Sequence, residues 1–150
     1  MEKRLNFIEK GQDAMKPLYA MGNHLKKSPV EKNLQEMIKI RISQINQCAY
    51  CLDMHWKDAR ALGETEQRLY GLSAWQESPY YSERERAGLQ WAEAVKAGHV
   101  SDDVYSEAAK HFSETELIDL TMATCTIDTW NKANLAFPQT AGTYQVGQWG

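Results

Sequence analysis

Residues 36–55 read Glu36-Met-Ile-Lys-Ile-Arg-Ile-Ser-Gln-Ile-Asn-Gln-Cys48-Ala-Tyr-Cys51-Leu-Asp-Met-His55. The apolar residues here and just upstream recur at helical rather than alternating spacing. Leu34, Met37, Ile38 and Ile45 make one stripe, which predicts a helix running to about Ile45. Asn46 or Gln47 is placed to cap a further helix, from Cys48 to about Leu62, closed by Gly63. On that helix Cys48, Cys51, Leu52, His55, Ala59 and Leu62 share a face. Two successive antiparallel helices are therefore the expected centre of the fold. Arg41 lies on the buried stripe and calls for a carboxylate across a packed interface.

The same spacing continues outward in both directions. Four prolines and nine glycines are few for 150 residues, and β-branched runs are scarce. The chain reads as all-α, about seven helices in one bundle-like domain over residues 1–150, with a core at about 28–137 and a tail from 138 to 150. A first helix is expected from Asn6 to Lys26, with Phe7, Ile8, Met15, Leu18, Tyr19 and Leu25 inward and a kink or break at Pro17. Ser28-Pro29-Val30-Glu31 carries the residues of a capping box and should open the helix that ends near Ile45. A short helix follows Glu64-Thr65 up to Leu72, and residues 75–81 form a loop. Ser82 with Glu85 opens a helix to about Ala97, ended by Gly98. Ser101 starts one through Phe112, with Asp102 and Asp103 at the positive end of its dipole. Ser113 with Glu116 opens the last, to about Ala136, stopped by Pro138. That last helix is apolar on most sides, which predicts a central position or one between subunits. The tail, carrying Tyr144, Val146 and Trp149, should be extended and pack on the body or on a neighbouring chain.

Composition narrows the function classes. A net charge of −3 without a Lys/Arg tract argues against a nucleic-acid surface. No window approaches the roughly 20 apolar residues of a membrane span. The charged Met1-Glu2-Lys3-Arg4 is followed by an apolar stretch broken at Asn6, Glu9 and Lys10, unlike a signal peptide. A cytoplasmic, reducing setting is expected, where three cysteines do not make a structural disulfide framework. There, a C-x-x-C pair is catalytic or metal-binding more often than structural.

Cys48, Cys51 and His55 stack on one side of their helix, and Cys48 stands at its start, where free N–H groups favour a thiolate. His55, one turn on, is placed to take a proton from Cys51, and Glu36 on the preceding helix to orient the imidazole. A thiolate attacking a peroxide becomes a sulfenic acid, which a second thiol converts to a disulfide. Cys51, nearer His55, is the expected attacking thiol. Cys48, expected nearer the surface, is the resolving one, first to meet an external dithiol. Zinc is the rival occupant, with Cys48, Cys51, His55 and either Cys125 or Glu36 as ligands. Incidental core cysteines are the third possibility. Cys125 itself reads as an inert core residue. His24, His99 and His111 read as surface or helix-end residues, Trp56, Trp75, Trp91 and Trp130 as core and interface anchors, and Tyr50 as pocket-lining or packing. No Gly-rich phosphate loop and no G-x-S-x-G occurs.

The spacing Glu-x(11)-Cys-x-x-Cys-x-x-x-His, met by Glu36, Cys48, Cys51 and His55, resembles the core of the alkylhydroperoxidase D-like proteins of the carboxymuconolactone decarboxylase superfamily. KIRISQINQCAYCLDMHWKDARALGE (39–64), LSAWQESPYYSERERAGLQWAEAV (72–95) and FSETELIDLTMATCTIDTWNKANLAF (112–137) resemble its successive helices. The resemblance implies an all-α fold assembling into trimers or hexamers. It implies thiol peroxidase activity on hydrogen or alkyl hydroperoxides without a cofactor, regenerated by an external dithiol. Cys51 would be peroxidatic and Cys48 resolving, with His55 and Glu36 as the proton relay. Tyr50 stands where the best-described relay has a histidine between its cysteines. The decarboxylase branch lacks the paired cysteines, so lactone decarboxylation is not expected.

Overall fold

The computed structural model describes residues 4–149, so Met1, Glu2, Lys3 and Gly150 lie outside the described residues. The helices are α1 (Phe7–Lys10), α2 (Gln12–Leu25), α3 (Lys32–Asn46), α4 (Ala49–Ala61), α5 (Glu66–Gly71), α6 (Glu83–Ala97), α7 (Asp102–His111) and α8 (Glu114–Ala136), with a 3-10 turn at Leu72–Ala74. No strand occurs among the described residues, and no helix is long and apolar enough to cross a membrane. The all-α reading holds.

The expected first helix is two helices, broken at Gly11 rather than at Pro17. Gly11 donates its N–H to the Phe7 carbonyl at 2.8 Å, and a Cβ there would lie 2.7 Å from that oxygen. Pro17 sits inside α2 on an exposed face. The expected Ser28 capping box does not form. Residues 29 and 30 form a bend with Val30 buried, and α3 starts at Lys32 with Glu31 in the cap position. Ser28 Oγ instead accepts from the Val30 N–H at 3.3 Å. The boxes at Ser82/Glu85 and Ser113/Glu116 both form, and Thr65 and Ser101 cap α5 and α7. Gly98, at φ +78°, ends α6 in the left-handed region that glycine tolerates.

Helix α3 is the axis of the molecule and packs against α4, α6 and α8. Leu34, Met37, Ile38, Ile40 and Ile42 are all fully buried. Burying each such side chain contributes about 1.5–3 kcal/mol. Ile45, expected on that stripe, is 41% exposed, because the helix ends one residue later. Helix α8 is less central than its composition predicts. Leu117, Leu120, Ala123 and Ile127 pack inward, but Ile118 is 63% exposed, Leu135 is exposed, and Cys125, expected in the core, lies free at the surface. The helix packs against α3 and α6, and less against α2, α4 and α7, and Ile118, Cys125 and Leu135 stand outside those contacts.

Polar side chains fix how the helices cross. Arg41 meets Glu93 of α6, Nε to Oε1 at 2.6 Å, and Trp75 Nε1 donates to the same oxygen at 2.8 Å. Arg84 joins α6 to Glu31 at 2.8 Å and to Glu116 at 2.6 Å, with its guanidinium over the Phe112 ring. After α8 the chain turns back over α4 of the same molecule. Tyr144 is buried there, and Lys57 Nζ donates to its carbonyl at 3.0 Å.

Candidate functional site

The joint between α3 and α4 sets the site. Gln47 takes a left-handed conformation (φ 58°, ψ 38°), and the Cys48 N–H donates to the Ser43 carbonyl at 3.0 Å. The chain reverses within two residues, so α4 runs back along α3. Cys48 itself occupies the cap position of α4, without a side-chain cap bond. The expected capping by Asn46 or Gln47 is absent, because Asn46 turns to α8. Its Nδ2 donates to Asp128 Oδ1 at 2.8 Å and to Asn131 Oδ1 at 2.9 Å.

Cys48 and Cys51 are joined as a disulfide with Cα atoms 5.4 Å apart. Cys48, expected nearer the surface, is only 2% exposed, against 0% for Cys51. The bond to Ser43 folds the joint against α3 and draws Cys48 under. The distinction between an outer and an inner sulfur is therefore not one of exposure.

One turn on, His55 Nδ1 lies 2.8 Å from Glu36 Oε2, and both residues are buried. Lys39 Nζ donates to Glu36 Oε1 at 2.6 Å. Burial pushes the Glu36 carboxyl up, but Lys39 and His55 together outweigh it and hold the group down at about 2. Glu36 is thus a carboxylate that only accepts hydrogen bonds. The Nδ1 atom of His55 then carries the proton, and Nε2 of the neutral ring is left as its basic atom.

Lys39 and two further participants were absent from the sequence reading. Asp58, one turn beyond His55, brings a carboxylate into the group, so that ligand atoms of Glu36, His55 and Asp58 lie within 4.8 Å of one another. Burial raises its carboxyl, the Tyr144 hydrogen bond lowers it, and the charge on Glu36 raises it further. Tyr144 Oη donates to Asp58 Oδ1 at 2.8 Å, and burial and that carboxylate push the phenol upward. Lys39 and Asp58 each had a local signal, standing three residues from Glu36 and from His55 on the same helix. Tyr144 had none, since its contact spans 86 residues.

These groups face a cavity of about 460 Å³, lined on this side by Glu36, Tyr50, His55, Asp58 and Tyr144. Its remaining lining is largely apolar and includes Leu18, Tyr19, Ile127, Trp130 and Trp149. Tyr50, buried between the cysteines in sequence, accepts from Trp149 Nε1 at 3.3 Å. The zinc set considered from sequence is not assembled: the two thiols are bonded to each other, and Cys125 is exposed on α8. The nearest candidate cation cluster is Glu36, His55 and Asp58, whose oxygens and Nδ1 already serve Lys39, Tyr144 and one another. Of the histidines set aside, His24 is not idle. Its Nε2 lies 2.8 Å from Asp119 Oδ1 and ties α2 to α8.

Comparison with known proteins follows the same lines. A family model described as the carboxymuconolactone decarboxylase family matches residues 12–94. The uncharacterized protein YdfG of Bacillus subtilis (strain 168) is 37% identical over 146 residues, 95% of this chain and 99% of YdfG. A crystal structure of a protein of unknown function from Agrobacterium tumefaciens, a candidate AhpD antioxidant defence protein, has a TM-score of 0.88 at 36% identity. It covers 95% of this chain and 100% of that one. The alkylhydroperoxidase AhpD core of an uncharacterized peroxidase-related protein from Ralstonia eutropha JMP134 has a TM-score of 0.78 over 88% of this chain and 72% of that chain. At 20% identity that last likeness speaks for the fold alone.

Proposed function

This chain belongs to the carboxymuconolactone decarboxylase family, and from that premise we propose that it is a thiol peroxidase of the alkylhydroperoxidase D-like kind, acting in antioxidant defence. The observation that carries the reading is the disulfide of Cys48 and Cys51 at the start of α4, with His55 one turn on and fixed by Glu36. A thiol pair able to close, beside a base with a dedicated orienting carboxylate, is the equipment of a two-cysteine cycle.

In the reduced protein, His55 takes the Cys51 proton, and Glu36 stabilises the resulting imidazolium. The Cys51 thiolate attacks the terminal oxygen of the hydroperoxide. The O–O bond breaks, the sulfur becomes a sulfenic acid, and the departing alkoxide takes a proton from the imidazolium to leave as an alcohol. The Cys48 sulfur then attacks the sulfenic sulfur, the S–O bond breaks, and the hydroxyl leaves as water with the Cys48 proton. Two thiols and one hydroperoxide become a disulfide, an alcohol and water. An external dithiol, a small molecule or a protein, returns two electrons by exchange through a mixed disulfide. Because both sulfurs are buried, it reaches them when the first turn of α4 opens. The same burial favours a small oxidant over another protein's disulfide, the substrate of a general disulfide oxidoreductase. Association of copies into a trimer or hexamer is part of the same reading and is carried by the family resemblance alone.

The test is peroxide consumption with a small dithiol as reductant. Wild type should turn over and Cys51→Ser should not, and peptide mass of the oxidised protein should show a Cys48–Cys51 bridge. Equal consumption by the two proteins would overturn the assignment.

A further inference from the structure

The cavity beside His55 is far larger than the smallest peroxide needs. At about 460 Å³ it falls within the roughly 300–1,000 Å³ typical of organic-ligand sites. Hydrogen peroxide is close in size to a water, whose share of liquid is about 30 Å³. The lining is also uneven. Glu36, His55 and Asp58 cluster together at one end, where His55 stands one turn along α4 from Cys51, although neither sulfur lines the cavity. Elsewhere Tyr19 and Trp130 pack at a tilt with ring centroids 5.4 Å apart, Leu18, Met54 and Ile127 supply apolar surface, and Lys26, Lys32, Lys39 and Gln35 add polar groups to the lining.

Part of this wall does not belong to the helical body. Tyr144, Val146 and Trp149 line the cavity from the tail. Hydrogen bonds fasten the tail across α4: Tyr144 to Asp58, Lys57 to the Tyr144 and Gly142 carbonyls, and Trp149 to Tyr50. Two of the anchors, Asp58 and Tyr50, are themselves cavity residues. The tail is thus held by the groups around the cavity and forms part of its rim, with Tyr144 buried and Val146 and Trp149 exposed.

We propose that this cavity is the chamber for an apolar, aryl-bearing hydroperoxide, and that the C-terminal tail, through Tyr144, Val146 and Trp149, is the wall that sets the preference. The inference rests on the peroxidase reading and names its substrate class. The aryl group lies against Tyr19, Trp130 and Trp149, and the –OOH group reaches toward His55. Aromatic faces and edges favour such contacts over those with an equally large aliphatic group.

Two measurements test it, one independent of turnover. Calorimetric titration of the oxidised protein with cumyl alcohol, the redox-inert product of cumene hydroperoxide, should give saturable binding. Trp149→Ala should weaken that binding about tenfold, and Trp149→Phe should restore it to within about threefold. In turnover, the ratio of kcat/KM for cumene hydroperoxide to that for hydrogen peroxide should fall about tenfold in Trp149→Ala and recover in Trp149→Phe. An unchanged ratio in Trp149→Ala, or no saturable binding of cumyl alcohol by wild type, overturns the proposal. Binding that depends on Trp149 without turnover of either peroxide keeps the chamber and removes the peroxidase reading instead.

Discussion

Helix α3 buries polar side chains near both of its ends, and the two sets differ in what surrounds them. Toward the start, Glu36 is held by Lys39 and by His55 of α4, beside open volume. Toward the end, Asn131 Nδ2 donates to Ser43 Oγ at 3.0 Å, Asn46 reaches Asn131 and Asp128, and none of Ser43, Asn46 and Asp128 faces the cavity. Both sets are hydrogen-bonded, and both contain a carboxyl held down at about 2. For Asp128, burial works against this, but bonds from Lys132, Asn46 and Lys96 prevail. Neither burial nor a lowered carboxyl therefore marks a reactive site here. The start of α3 differs in having a basic nitrogen, with Cys51 one turn from it along α4, and room for a molecule. The end of α3 fastens α3 to α8.

The contrast breaks most clearly at the sulfur. Cys51→Ser should lower peroxide turnover by more than about 10³-fold, some 4 kcal/mol of barrier, with the reduced protein's thermal midpoint little changed. Asn131→Leu should do the reverse. It takes Asn131 from buried Ser43, leaves Asn46 with Asp128 alone, and should cost about 1–3 kcal/mol in a denaturant titration, with turnover of the folded protein within twofold. A stability loss below about 0.5 kcal/mol would mean that this end of α3 is not a fastening.

Glu36→Gln sharpens the comparison from the other side. It keeps the shape and one acceptor but loses the charge behind His55, and kcat/KM should fall about 10–30-fold, or 1.4–2 kcal/mol. The smallest effect is in acid. The Glu36 carboxyl is about 2 in the folded protein against an ordinary 4.5, so the unfolded chain takes up the proton first as pH falls. Its contribution to stability is present above pH 4.5 and is lost as the pH drops toward 2. In a series of denaturant titrations over that window, Glu36→Gln should show a slope shallower by up to one proton. An equal slope would remove the carboxylate from this account.

Local chemistry made much of this legible in the sequence. The capping boxes at Ser82 and Ser113 announce their helices because every group they need lies within four residues. Glu36 and His55 could be paired because two successive helices fix their register. Arg41 demanded a carboxylate, and Glu93 supplies it. The misses come where a neighbour distant in sequence decides. Ser28 carries a capping pattern, but burial of Val30 moves the helix start. Cys48 looked like an entrance until the joint folded it beneath the surface. Helix α8 has the composition of a helix that is central or lies between subunits; α3 takes the central place, and Ile118 and Cys125 of α8 are exposed. Tyr144 was missed because the tail's return onto α4 leaves no periodic trace, whereas Asp58 stands three residues from His55 on the same helix.

The reversal at Gln47 and Cys48 has a consequence for how chains of this design tolerate changes of length. Only two residues separate the last residue of α3 from the first of α4. One added residue that the joint could not absorb would turn α4 by ~100° about its axis, given 3.6 residues per turn. His55 would then swing away from Glu36, and Cys51 would move off its present face. A residue added at 138–143, in the irregular stretch before Tyr144, need only lengthen a loop. Insertions and deletions should therefore gather in that connection and stay out of the interval from Glu36 to His55, which behaves as a gear tooth rather than a hinge.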